Sequence, residues 1–358
     1  SMIERGEKRG YISALLNKYA SGGYDSYHTP GHKGEFCPRD VTELGIGGKI
    51  FPADAVIRAQ ERTAKLYGVR AVRYLTNGSS IGIKASLLLF RGKKVLFASG
   101  AHKAFADGCE LADIKPVPIA RHGEKCVGGA VFTCGCGNLP APLELSEAEE
   151  ALKRNPDASA LFITSPDYLG RTADIEIAKL CKSRGVALIA DSAHGAHFAF
   201  APELGKFRFD NVADLCNMSA HKTLGAYTQT ALLAVNEPRF LPEAEHALGL
   251  LGTTSENYAL LERLENSVLE ASANFERYAY LKEVSQKIRA VADVLPNSDY
   301  TRICVKPRAG TAEELFDALY KKGIACEAVI NGRVVFILTP YDSEEKLARL
   351  IKELTEKA

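Results

Sequence analysis

The order of apolar and helical stretches along this 358-residue chain predicts an α/β fold: a mostly parallel central sheet with helices on both faces, followed by a small α+β C-terminal domain. Three observations carry this. Short apolar runs alternate with helical or turn-rich stretches between residues 72 and 235, and strands joined through helices run parallel and are covered on both sides. A helical zone with few strand signals then occupies roughly 254–290. The tail alternates again, with Asn331 and Gly332 as a two-residue hairpin turn between two apolar runs.

Taken in order, residues 8–20 (KRGYISALLNKYA) place apolar side chains at helical spacing, and Gly22 and Gly23 end that helix. A loop rich in Gly, His and Pro follows, then a helix over 53–67. The runs VRYL, KKVLFAS, ALFITS, VALIAD, ADLCNMS and TALLAV read as strands. In the tail, TRICVKP is a strand, 311–322 a helix, ACEAVI and VVFILT two strands, and a last helix starts at 343. This divides the chain into an N-terminal helix and loop (1–40), a large domain (41–250), linking helices (251–295) and the small domain (296–358).

Composition excludes several classes. Hydrophobic content of 46% and charged content of 25% are those of a soluble globular protein. Lys and Arg number 45 against 44 Asp and Glu, so no net field draws nucleic acid or an anionic membrane. No run reaches spanning length and no signal peptide is visible, which places the chain in the cytoplasm. Ser1 ahead of Met2 reads as a scar of tag removal. Nine cysteines then read as reduced thiols. Cys126, Cys134 and Cys136 share a glycine-rich stretch but match no common zinc spacing, so no metal is expected.

Four segments carry chemistry. In SAHKTLGAYTQT (219–230), Lys222 follows a strand-like run and is flanked by hydroxyls and His221. An amine held there with its pKa lowered by burial would form an imine with an aldehyde cofactor, and Ser219 and His221 would reach that cofactor's phosphate. Alone, the segment favours a plain surface lysine. In VALIADSAHGAHF (186–198), Asp191 closes an apolar strand at the end where open α/β sheets bind ligands. A carboxylate there suits the pyridine nitrogen of pyridoxal 5'-phosphate (PLP), because only the protonated ring withdraws electrons strongly enough to hold a carbanion. A helix N-cap accounts for Asp191 equally well. His194 and His197 follow closely, one of them a candidate for a local hydrogen bond.

YLTNGSSIGIKAS (74–86) joins a strand to a helix through Asn77, Gly78, Ser79 and Ser80. Backbone N–H groups and two hydroxyls at a helix start suit a phosphate, although an Asn-Gly turn with a serine cap is the commoner use of such residues. In ASGAHKAF (98–105), His102 stands past another apolar run, placed to stack on a flat ring. A lone histidine is more often structural. The order decides: phosphate cup, stacking base, pyridine carboxylate and imine lysine each lie just beyond an apolar run.

These residues resemble the bacterial ornithine/lysine/arginine decarboxylases, PLP-dependent transferase-like enzymes of fold type I. The resemblance covers YHTPGHKG (27–34), DVTEL (40–44), AQERTAKLYGV (59–69), LTNGSS (75–80), AHKA (101–104), SPDYLGRTADI (165–175), DSAHGAHFAF (191–200) and SAHKTLGAYTQTA (219–231). It implies Lys222 as the imine lysine, Asp191 as the pyridine partner, His102 stacked on the ring, and Gly78, Ser79, Ser80, Ser219 and His221 around the phosphate. It also implies His194 beside the substrate and a homodimer with the HTPGHKG loop near the subunit contact. The chain departs from the family at Ser192, where glutamate is usual, at Ala104, where serine is usual, and at LGIGGKIFP (44–52), which replaces an acidic stretch that typically carries paired aspartates. The resemblance implies a short form, without the long C-terminal domain of the larger members.

The reaction expected is loss of carbon dioxide from ornithine, lysine or arginine to give a polyamine-type amine, with Lys222 or a histidine returning a proton to the α-carbon. An aminotransferase or lyase on the same scaffold, or a non-catalytic PLP-binding homologue, are the alternatives. Arg302, which opens the strand TRICVKP, is a candidate for a substrate carboxylate, but a solvated arginine at a strand edge is the preferred reading. An essential Arg302 would favour transamination.

Overall fold

A computed structural model describes residues 10–41, 54–119 and 139–357. The chain begins with α1 (Tyr11–Ala20) and α2 (Asp54–Tyr67), then alternates β1 (Ala71–Leu75), α3 (Gly78–Leu88), β2 (Lys94–Ala98), α4 (Lys103–Leu111) and β3 (Lys115–Ile119). It continues through α5 (Leu145–Arg154), β4 (Ala160–Thr164), α6 (Ile177–Arg184), β5 (Ala187–Asp191), β6 (Leu215–Met218), α7 (Ala220–Thr223) and β7 (Ala231–Val235). Seven strands form one sheet in the order β1-β7-β6-β5-β4-β2-β3. Only β7 runs against its neighbours, pairing antiparallel with both β1 and β6, and the other four pairings are parallel. The mostly parallel sheet read from the sequence is what forms.

Because successive strand residues point to opposite faces, the sheet buries two separate apolar layers. Leu96, Leu161, Ile163, Leu188 and Leu232 pack with Leu152 of α5, Ile177 of α6 and residues from the later helical zone. Val95, Phe97, Phe162, Ile189 and Leu233 pack with Ile83 and Leu87 of α3 and Phe105 of α4. The rings of Phe97 and Phe162 each lie 4.6 Å from that of Phe105, so the helix that opens at His102 rests on a rigid aromatic base.

Strand β3 (KPVPI) was not foreseen, and its two prolines are the reason. It pairs with β2 alone, and an edge strand tolerates residues without an N–H donor. The helical zone differs too: α8 (Phe240–Leu251) precedes it, and the zone is two helices, α9 (Tyr258–Ala273) and α10 (Phe275–Val291). Asn274, with φ −100° and ψ 29°, ends one and starts the other. Helix α1 is fixed to α9 through buried Glu265, whose carboxylate accepts from the N–H groups of Tyr11 and Ile12 at 2.8 and 2.9 Å, an anion at a helix N-terminus.

The tail forms β8 (Asp293–Val294), β9 (Arg302–Lys306), α11 (Ala312–Lys321), β10 (Ala328–Ile330), β11 (Arg333–Ile337) and α12 (Glu344–Lys357). Its sheet is antiparallel throughout, in the order β10-β11-β9-β8, and packs against α10, α11 and α12 through Leu281, Ile288, Leu315, Leu319, Leu347 and Leu354. The hairpin turns at Asn331 and Gly332, both left-handed at φ 53° and 66°, as a two-residue type I′ turn requires. The Asn331 side chain grips the backbone of Leu139, accepting from its N–H at 2.7 Å and donating to its carbonyl at 3.1 Å.

Candidate active site

Asp191 is the last residue of β5, level with Thr164 of β4 and Asn217 of β6. Its side chain is buried, and its Oδ1 accepts from the N–H of Ala193 at 3.1 Å. Burial raises its pKa; the charge of Lys222, the Ala193 N–H and the charge of His102 oppose that rise without cancelling it. A buried carboxylate in this condition is best stabilised by a cationic N–H donor, which is what a protonated pyridine ring presents. The residue therefore fits its predicted partner.

Lys222 lies in α7, directly beyond β6. Burial lowers its pKa; Asp191 pulls the other way, and Arg302 adds to the lowering. Its Nζ sits 3.3 Å from Nε2 of His194, whose Nδ1 is 3.0 Å from Nη2 of Arg302. The direction of this chain is forced. A guanidinium only donates, so Nδ1 of His194 accepts and its Nε2 carries the proton. Nε2 then donates to Nζ, which must offer a lone pair. Burial, followed by the charge of Arg302, holds the His194 pKa well below its usual range, in keeping with a neutral ring. The chain thus favours Lys222 as the free amine, the form that attacks an aldehyde.

The phosphate cup assembles as follows. Helix α3 starts at Gly78, whose φ of +76° is left-handed and suits a residue without Cβ. The N–H of Gly78 is not free, since it donates to the Gln229 carbonyl at 2.7 Å; this corrects its reading as a phosphate donor. Asn77 makes no side-chain cap, so the first turn keeps its need for an acceptor. Ser219 donates from its hydroxyl to that of Ser79 at 2.8 Å, which brings the lysine segment onto this turn. Ser80 is half-buried in the same turn. Nδ1 of His221 lies 3.0 Å from the Thr230 carbonyl; donation there leaves Nε2 as the ring atom for a ligand.

His102 caps α4, its Nδ1 accepting from the N–H of Ala104 at 3.1 Å, and its ring is exposed. It lies close enough to Asp191 and His194 for its charge to act on both. Ser192, where the resemblance led to a glutamate, donates to the Ser165 carbonyl at 2.5 Å. The substituted residues 44–52 and Cys126, Cys134 and Cys136 lie outside the described residues. Among the described residues, no group of three or more His, Cys, Asp or Glu side chains is placed to hold a metal ion.

Arg302 overturns the expectation of a solvated strand-edge side chain. It is 0% exposed, because β9 is an inner strand, paired with β11 on one side and β8 on the other. Among the described residues its Nε and Nη1 have no hydrogen-bond partner, and its Cζ lies 5.8 Å from the centre of the Tyr168 ring. Tyr168 stands edge-on to His194 at 4.7 Å between ring centres and donates from its hydroxyl to the Glu327 carboxylate. Sequence reading passed over both Tyr168 and Glu327. The signal for the second was present: an acid inside the apolar run ACEAVI.

An amine, a carboxylate and a hydroxyl-lined helix start at the carboxyl ends of a mostly parallel sheet, with a buried arginine from a small antiparallel sheet, define the class: the fold is that of the fold type I PLP-dependent enzymes. Within it, the chain belongs to the Orn/Lys/Arg decarboxylase family, whose major domain matches residues 11–318. The uncharacterized protein YaaO of Bacillus subtilis (strain 168) is 25% identical over 375 residues, 95% of this chain and 76% of that protein. The arginine decarboxylase of the same organism is 24% identical over 381 residues, with the same coverage of 95% and 76%. The crystal structure of the Francisella novicida lysine decarboxylase LdcF superposes with a TM-score of 0.76 at 15% identity, over 98% of this chain and 60% of that one. The chain thus spans about three-fifths of that solved decarboxylase.

Proposed function

We propose that this chain is a PLP-dependent decarboxylase of a basic amino acid, with Lys222 holding the cofactor and Asp191 at its pyridine nitrogen. The observation that carries the reading is the directed chain from Arg302 through His194 to Lys222, which favours the free-amine form of a lysine beside a buried carboxylate. Bound PLP supplies an electron sink for the pair left at the α-carbon. His102 covers the ring, and Ser79, Ser80, Ser219 and His221 hold the phosphate. The open Nε and Nη1 of Arg302 receive the substrate's α-carboxylate, and Nζ of Lys222, or His194, returns a proton to the α-carbon after that carboxylate leaves.

Glu327 supports a substrate with a distal cation. It is exposed, oriented by Tyr168, and near enough to Lys222 for its charge to raise that amine's pKa. Removing one charge-assisted hydrogen bond is worth about 1.5–3 kcal/mol, so Glu327→Gln is expected to raise KM for the preferred basic amino acid about 10- to 100-fold while PLP affinity stays unchanged. Steady-state kinetics and a PLP titration check this, and an unchanged KM removes Glu327 from the substrate site.

The grip that Arg302 offers a carboxylate also favours a second reading, an aminotransferase or lyase on this scaffold. It is distinguished by a keto acid or another product in place of an amine. The proposal includes cytoplasmic placement; among the described residues no helix is long and apolar enough to cross a membrane. It also includes a homodimer, in which a second copy covers the HTPGHKG loop, whose neighbours Tyr27 and Phe36 are 91% and 86% exposed.

A further inference from the structure

Close in sequence to His194 and Arg302 stand two buried ionisable side chains that this chemistry does not use. Asp299, three residues before Arg302, is 0% exposed, and His197, three residues after His194, is 1% exposed. Oδ1 of Asp299 accepts from the Thr301 N–H at 2.9 Å and the Thr301 hydroxyl at 2.7 Å, and lies 3.2 Å from Nε2 of His197. The His197 ring is itself fixed, near-parallel to Tyr278 at 6.2 Å. Among the described residues, Oδ2 of Asp299 has no hydrogen-bond partner, and neither have Nε and Nη1 of Arg302. A buried guanidinium and a buried carboxylate with unspent groups ordinarily close into a bidentate pair. Here they do not, because all three contacts to the carboxylate come from elsewhere. The two charges still sense each other: burial pushes the Asp299 pKa up, and His197 and Arg302 together pull it below its usual value.

We infer that His197 and Thr301 hold Asp299 as an unpaired counter-charge, which balances Arg302 from a distance and keeps its Nε and Nη1 open to the carboxylate of an incoming ligand. His197 and Asp299 are positioning residues in this scheme, and the inference rests on the reading of Arg302 as the carboxylate site. It predicts opposite signs for two members of one hydrogen-bonded pair. His197→Phe keeps the ring's bulk but releases Asp299 to close onto Arg302, so anion binding weakens about tenfold or more. Asp299→Asn keeps the acceptor for Thr301 and removes the competing charge, so anion binding tightens by at least about threefold. A merely structural role weakens binding in both.

The test is titration of the PLP-loaded protein with pentanoate, which has a carboxylate but no amine to react, followed by ligand-observed NMR, with melting temperatures recorded for each variant. His197→Gln, which can still donate to Asp299, should stay within about twofold of the parent. If His197→Phe does not fold, the sign for Asp299→Asn decides alone. Weaker or unchanged binding in Asp299→Asn overturns the inference. Arg302→Met is the separate control: if it binds pentanoate as well as the parent does, the carboxylate site itself is wrong.

Discussion

Lys222→Ala is expected to abolish the visible absorption band of lysine-bound PLP and to reduce turnover by at least about 10³-fold, the scale of loss when a covalent participant is removed. Among the described residues, Lys222 is the lysine whose charge acts on Asp191. Its Nζ lies 3.3 Å from Nε2 of His194 and burial lowers its pKa, while Lys103, in the helix after β2, is exposed and salt-bridged to Asp107 at 2.5 Å. Spectra of the reconstituted variant check this. A band that survives in Lys222→Ala refutes the lysine assignment.

Asp191→Asn is expected to keep that band yet lower kcat by about 10²–10³, the cost of removing one preorganised charge at the point where charge develops. The amide can still accept from the Ala193 N–H, so the turn after β5 is preserved. What is lost is the negative charge that a protonated ring nitrogen needs. Near-normal turnover in Asp191→Asn would separate Asp191 from the cofactor and leave it as a capping residue of the DSAHGAHF turn.

The large sheet was legible because β2, β4, β5, β6 and β7 are apolar on both faces, so each appears in the sequence as an unbroken run. Strand β3 was not, since Pro116 and Pro118 speak against a strand until its place at the sheet edge is known. Lys222, Asp191 and His194 are candidates from their segments alone, and the structure brings them into one electrostatic neighbourhood. Gly78 was legible as a turn, but the partner of its N–H, Gln229, lies far along the chain and no local pattern announces it. Arg302 failed for a similar reason: its burial depends on β9 lying between β11 and β8. Tyr168 and Glu327 meet across 159 residues of sequence, a contact that only the docking of the small sheet creates.

Decarboxylation of a basic amino acid has a direct readout in its amine product. The measurement that tests it most directly is incubation of the PLP-loaded protein with ornithine, lysine and arginine together, with putrescine, cadaverine and agmatine read by mass spectrometry. One of these amines is expected to accumulate, naming the substrate. Bound PLP with none of the three amines formed would contradict this expectation, leaving another amino-acid reaction or a cofactor-binding protein without turnover.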